Sequence, residues 1–65
     1  MDSEQAQLIA GVLGGRAWDS GGGVYLVYIE KPGGRLVVIS DDVVCEYESE
    51  DAFDRSRPIH SIALT

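Results

Sequence analysis

"VYLVYIEKPGGRLVVIS", residues 24–40, reads as two strands joined by a tight turn. Val24 to Glu30 is dense in β-branched and aromatic residues, which suit a pleated, half-buried surface. Lys31-Pro32-Gly33-Gly34 follows, with proline at i+1 and glycine at i+2. That is the chemistry of a type II turn. Arg35 to Ser40 then returns as the second strand of a hairpin. Both faces of residues 24–30 are apolar, which places this strand centrally in a sheet, under a helix on one side.

Upstream of the hairpin the spacing predicts that helix. Asp2 or Ser3 can cap it, and Asp2-x-x-Gln5 has the form of a capping box. Leu8, Ile9, Val12 and Leu13 share one helical face. Gly14-Gly15 ends the helix, because glycine enters the left-handed conformation without a Cβ penalty. Gly11 weakens the last turn by about 1 kcal/mol relative to alanine, or else lets a strand approach closely. Arg16-Ala17-Trp18 reads as a short strand, with Trp18 assigned to the core. Asp19 to Gly23 is a loop.

Downstream, Ser40-Asp41-Asp42 breaks the ladder. Val43 to Glu48 then alternates, with Val43, Cys45 and Tyr47 inward and Val44, Glu46 and Glu48 outward. Residues 49–57 are polar and hold a helical turn around Ala52-Phe53. Pro58 suits a strand start, and Ile59 to Leu64 forms the last strand. The expected fold is α+β: one N-terminal helix packed on a three- to five-stranded antiparallel sheet, in a single domain spanning residues 1–65.

Size and charge bound the function. A chain of 65 residues is a marginal folding unit that needs disulfides, metal, oligomerisation or good packing. Cys45 is the only cysteine, so no internal disulfide forms, and one Cys with one His cannot supply a closed zinc site. A monomer with a well-packed core or a weak homodimer is left. Eleven acids oppose five Lys and Arg, for a net charge of -6. That balance disfavours direct nucleic-acid binding and anionic membranes, and favours basic partners. Met1-Asp2-Ser3-Glu4 lacks the basic start of a secretory signal, and the lone cysteine suits a reducing compartment, so a cytoplasmic protein is expected.

Chemistry-bearing motifs are sparse. Gly21-Gly22-Gly23 leads into a strand with no following Lys-Ser/Thr, unlike a phosphate-binding loop, and no cofactor is expected. Cys45 and His60 are the only nucleophile–base candidates. Cys45 falls on an inward face, and His60 alternates out of phase with Ile59 toward a surface. No catalytic residues are assigned. Asp41, Asp42, Glu46 and Glu50 do not match an EF-hand, and strand carboxylates line up without converging, so no metal site is assigned.

The run "SDDVVCEYESEDAFD", residues 40–54, concentrates seven of the eleven acids: Asp41, Asp42, Glu46, Glu48, Glu50, Asp51 and Asp54. Two strand residues advance about 6.6–7 Å, near the spacing of successive phosphates along a nucleic-acid strand. On this reading Glu46, Glu48 and Glu50 form a phosphate-like row that the other acids flank, suited to a Lys/Arg groove. The other reading is a solvated face that keeps a small protein soluble. Both stand on the sequence.

The helix with Gly14-Gly15, then Trp18, the Ser20-Gly21-Gly22-Gly23 loop opening a hairpin, and Ile39-Ser40-Asp41-Asp42 resemble small phage proteins. In size and acidity the whole chain is similar to phage anti-CRISPR inhibitors of type I systems, which share no common fold or motif. The resemblance implies a stoichiometric inhibitor, not an enzyme, working in the host cytoplasm. It also implies a partner: the PAM-reading subunit of a type I CRISPR complex, blocked by an acidic DNA mimic. The alternative function is a generic interaction or regulatory module, homodimeric through a strand edge.

Overall fold

The computed structural model describes residues 1–64. It has the expected α+β architecture, a helix on a five-stranded antiparallel sheet. In chain order these are α1 (Ser3–Leu13), β1 (Arg16–Asp19), β2 (Tyr25–Glu30), β3 (Leu36–Ile39), β4 (Val43–Tyr47), α2 (Glu50–Asp54) and β5 (His60–Ala63). The strands follow one another across the sheet in sequence order, so every pairing is local.

The α1 helix begins as its sequence dictates. Asp2 Oδ1 accepts from the Gln5 N–H at 2.8 Å, and Gln5 Oε1 accepts from the Asp2 N–H at 3.3 Å. Together these satisfy two otherwise orphaned donors. The helix stops at Gly14, whose φ of 75° is left-handed. Gly15 then runs hard against β2: a Cβ there would overlap the Tyr28 carbonyl oxygen. Gly11 has open space on its Cβ side, so the close approach considered for it belongs to Gly15 instead.

The β2–β3 hairpin turns through Lys31–Gly34, with the Gly34 N–H donating to the Lys31 carbonyl at 3.2 Å and Gly33 at φ 87°. This is the type II geometry expected from Pro32-Gly33. Register pairs Val27 with Ile39 and Ile29 with Val37 across the hairpin.

Each sheet face has its own core. On one face α1 packs over β1 and β2. Ala6 and Ala10 meet Val27 there, with Ile9, Ala17, Tyr25, Ile29 and Ile39 around them. Two alanines on the helix let it lie close to the sheet. On the other face Leu36, Val38 and Tyr47 are buried beneath Ala52 and Phe53 of α2, with Leu26, Tyr28 and Cys45 alongside. The second apolar face of β2 is therefore explained by α2. Tyr47 is inward as expected, and Cys45 packs half-buried on the same face.

Trp18 departs from its assignment to the core: it is 43% exposed. The reason is its place on β1, an edge strand that the five-residue α2 reaches without covering. Among the described residues, no helix is long and apolar enough to cross a membrane.

Candidate partner-binding surface

Sheet geometry breaks the acidic run into three environments. Asp41 and Asp42 sit in the β3–β4 turn. The N-terminal ammonium bonds to Asp41, and Asp42 Oδ1 accepts from Ser40 Oγ at 3.1 Å. Glu46 lies in β4, opposite Val37 and His60. Glu48, Glu50, Asp51 and Asp54 belong to the opposite end of β4 and to α2.

The phosphate-like row of Glu46, Glu48 and Glu50 does not form. The ladder stops at Tyr47. Ser49 then caps α2, its Oγ accepting from the Ala52 N–H at 3.1 Å. Helical geometry beyond Ser49 ends the two-residue repeat on which the row depended.

Glu46 is also compensated. Its Oε2 accepts from Lys31 Nζ at 3.1 Å, and Arg35 Nη1 stands 3.9 Å away. Its side chain is only 18% exposed. The Lys31 hydrogen bond, with the charges of Lys31, Arg35 and His60, holds its carboxyl below the ordinary value despite some desolvation. A depressed folded-state pKa stabilises the fold above the unfolded value, and that stability is lost as pH falls through the folded one. Glu46→Gln is therefore expected to lower the urea midpoint fully above pH ~5 and progressively less below pH ~4. Urea titrations at pH 7 and pH 3 check this; an equal deficit at both would contradict the ion-pair role.

The α2 end differs. Asp51 pairs with Arg55 at 3.2 Å, one turn along. Among the described residues, Glu48, Glu50 and Asp54 have no cation within 4 Å. Glu50 and Asp51 fall in the first turn of α2, where the helix amides favour negative charge.

Two of these acids, Glu50 and Asp54, stand near an aromatic cluster that sequence reasoning did not assemble. Phe53 stands edge-on to Tyr28 at 5.3 Å between centroids and to Tyr47 at 5.2 Å. Trp18 packs on Tyr28 at 5.7 Å and on Phe53 at 6.3 Å. Burial pushes the Tyr28 hydroxyl up, and Glu50, Asp54 and Glu30 push the same way against Arg16. Beside the cluster lies a cleft of about 560 Å³, walled by Trp18, Tyr28 and Leu36, with Arg16, Glu30 and Glu50 at its rim. Arg16 and Glu30 are ion-paired to each other there.

The catalytic candidates separate. Register puts His60 opposite Glu46 and Cys45 opposite Ser61, so alternation sends the Cys45 and His60 side chains to opposite faces. Gly21, Gly22 and Gly23 all have positive φ and close the β1–β2 connection, where the Gly21 N–H donates to Asp19 Oδ1 at 2.8 Å. Among the described residues no three His, Cys, Asp or Glu side chains converge as metal ligands would. No protein family matches the chain, and neither a curated protein nor a solved structure shows significant similarity to it.

Proposed function

We propose that this chain is a stoichiometric inhibitor that docks the acidic surface of α2 onto a basic, nucleic-acid-handling protein and blocks DNA binding there. The observation that carries this reading is the grouping of Glu50, Asp51 and Asp54 on one short capped helix, with Glu48 just before its Ser49 cap and a half-exposed Trp18 packed against Phe53 of that helix. Three of those four carboxylates lack a cation partner among the described residues. Unpaired charge steers a basic partner, and a rigid aromatic supplies an anchor at low entropic cost. Glu46 passes from contact residue to scaffold, because binding through it would first break its bond to Lys31. Asp41 and Asp42 flank from the far end of β4.

The resemblance to type I anti-CRISPR inhibitors gives this surface its specific target, the subunit of the surveillance complex that reads the PAM and duplex. The test is a charge reversal, Glu48→Lys with Glu50→Lys and Asp54→Lys, assayed by competition with target DNA. The expected result is loss of competition with circular dichroism unchanged, since all three side chains are exposed. Affinity of the unaltered chain should fall about tenfold or more between ~50 and ~200 mM salt. A reversed variant that competes as well as the parent, or a flat salt response, would refute the acidic docking mode.

A further inference from the structure

The helix is more apolar than its packing requires. At 100° per residue, Leu8, Val12, Ile9, Leu13, Ala10 and Ala6 occupy an arc of roughly 200°, about twice the stripe that one-sided packing needs. Only Ala6, Ala10 and Ile9 contribute to the core on β1 and β2. Leu8 and Val12, one turn apart, stay 71% and 76% exposed.

The sheet face beside them is also uncovered. α1 packs on β1 and β2 and reaches Ile39 of β3, leaving the same face of β4 and β5 without a layer among the described residues. Ile39 pairs with Val44, and Val44 with Ile62, forming an apolar row across three strands. Ile62 is 66% exposed and Leu64 52%. Leu8, Ile9, Ile39 and Leu64 line one groove of about 360 Å³, so helix flank and open sheet are a single surface.

Area points to a second copy as the occupant. The chain exposes 4437 Å², whereas a monomer of its mass is expected to expose about 4,000 Å². The four most exposed side chains of the patch present on the order of 500 Å², at the upper limit for a single patch on a monomer. That is below the ~800 Å² per partner of a standard interface, so the contact it makes is a small, weakly associating one. Two copies at -6 each repel, so any self-contact must avoid charge. The patch side chains are themselves uncharged and its rim acids Asp41 and Glu46 are ion-paired, whereas Glu4, exposed one turn before Leu8 and outside the ion pairs of the described residues, must lie at the edge of the contact. The unpaired acids of α2 lie on the opposite face.

We propose that the chain forms a two-fold homodimer. Leu8 and Val12 of each copy cover Ile39, Val44, Ile62 and Leu64 of the other. A two-fold axis makes this one contact twice, as an isologous interface requires. Both α2 surfaces remain outward and accessible.

Sedimentation equilibrium from about 1 µM to about 500 µM tests the proposal. The expected result is a reversible rise from 7.0 kDa to twice that mass. Leu8→Glu and Val12→Lys, exposed helix positions that do not support the monomer core, should each weaken association at least tenfold while helicity persists at low concentration. Isotope-filtered nuclear Overhauser spectra of a mixed-label sample should link Leu8 and Val12 methyls to those of Ile62 and Leu64 across copies. A parent chain that stays monomeric throughout, or binds apolar vesicles through this face while monomeric, overturns the proposal. So does a dimer whose cross-copy signals join the β5 or β1 edges instead.

Discussion

Gly15→Ala is expected to lower the unfolding free energy by about 3 kcal/mol, the upper range for an overpacked contact. An added Cβ would overlap the Tyr28 carbonyl oxygen and sit 2.9 Å from Ile29 Cγ1. The obstacle is β2 backbone, held on both sides by β1 and β3, so it cannot rotate away like a side-chain tip. Relief must come from lifting α1 off Val27, which opens the smaller core. A chain of this length has only about 3–5 kcal/mol in total, so much of the variant should be unfolded at room temperature. Gly11→Ala is the internal control. It adds the same methyl in the last turn of α1, into open space, and should raise stability by about 0.5–1 kcal/mol. Urea midpoints of the two variants should move in opposite directions. Equal shifts would show that α1 does not seat against β2 through Gly15.

The contrast between these glycines marks where sequence reading stops. Gly11 stands in the last turn of α1 and Gly15 just past its cap, and helical spacing alone does not say which meets a strand. That depends on how α1 is rotated over β2, which Ala6 and Ala10 settle by packing on Val27. Where chemistry is local, the sequence was sufficient. Asp2 with Gln5 specified the cap, Pro32-Gly33 the turn, and alternation from Val43 the inward side of β4. The functional surface was legible in composition but not in shape. The run from Asp41 to Asp54 was visible as charge, yet treating it as a continuous strand row failed at Ser49, whose hydroxyl turns the chain into α2. Glu46 looked free because its cation, Lys31, lies on the far side of β3 and meets it only through sheet register. Phe53 and Trp18 were likewise separate features until meander order brought β1, β2 and α2 to one face.

Phe53 joins fold to proposed function, and Phe53→Ala should damage both. Five residues are far too few for an isolated helix to persist in water. α2 therefore exists because Ser49 caps it and because Phe53 and Ala52 seat it on Leu36, Val38 and Tyr47. The Phe53 ring makes edge contacts with Tyr28, Tyr47 and Trp18. Removing it should cost about 2–3 kcal/mol, below the 3–5 of a fully enclosed phenylalanine because the ring is half-buried. The fluorescence of Trp18, the only tryptophan, should shift to the red as its partner leaves. Net charge stays at -6, and Glu48, Glu50, Asp51 and Asp54 are all retained. If partner binding needed only diffuse negative charge, the variant would bind as the parent does. If binding needs those carboxylates held in one arrangement beside Trp18, ordering a loosened segment must be repaid on association. Affinity should then fall at least tenfold at a temperature where the variant is still folded. Phe53→Leu, which keeps an apolar anchor without the ring, should recover most of the stability and part of the binding. Unchanged affinity for Phe53→Ala would separate recognition from the geometry of α2 and leave overall acidity as its only basis.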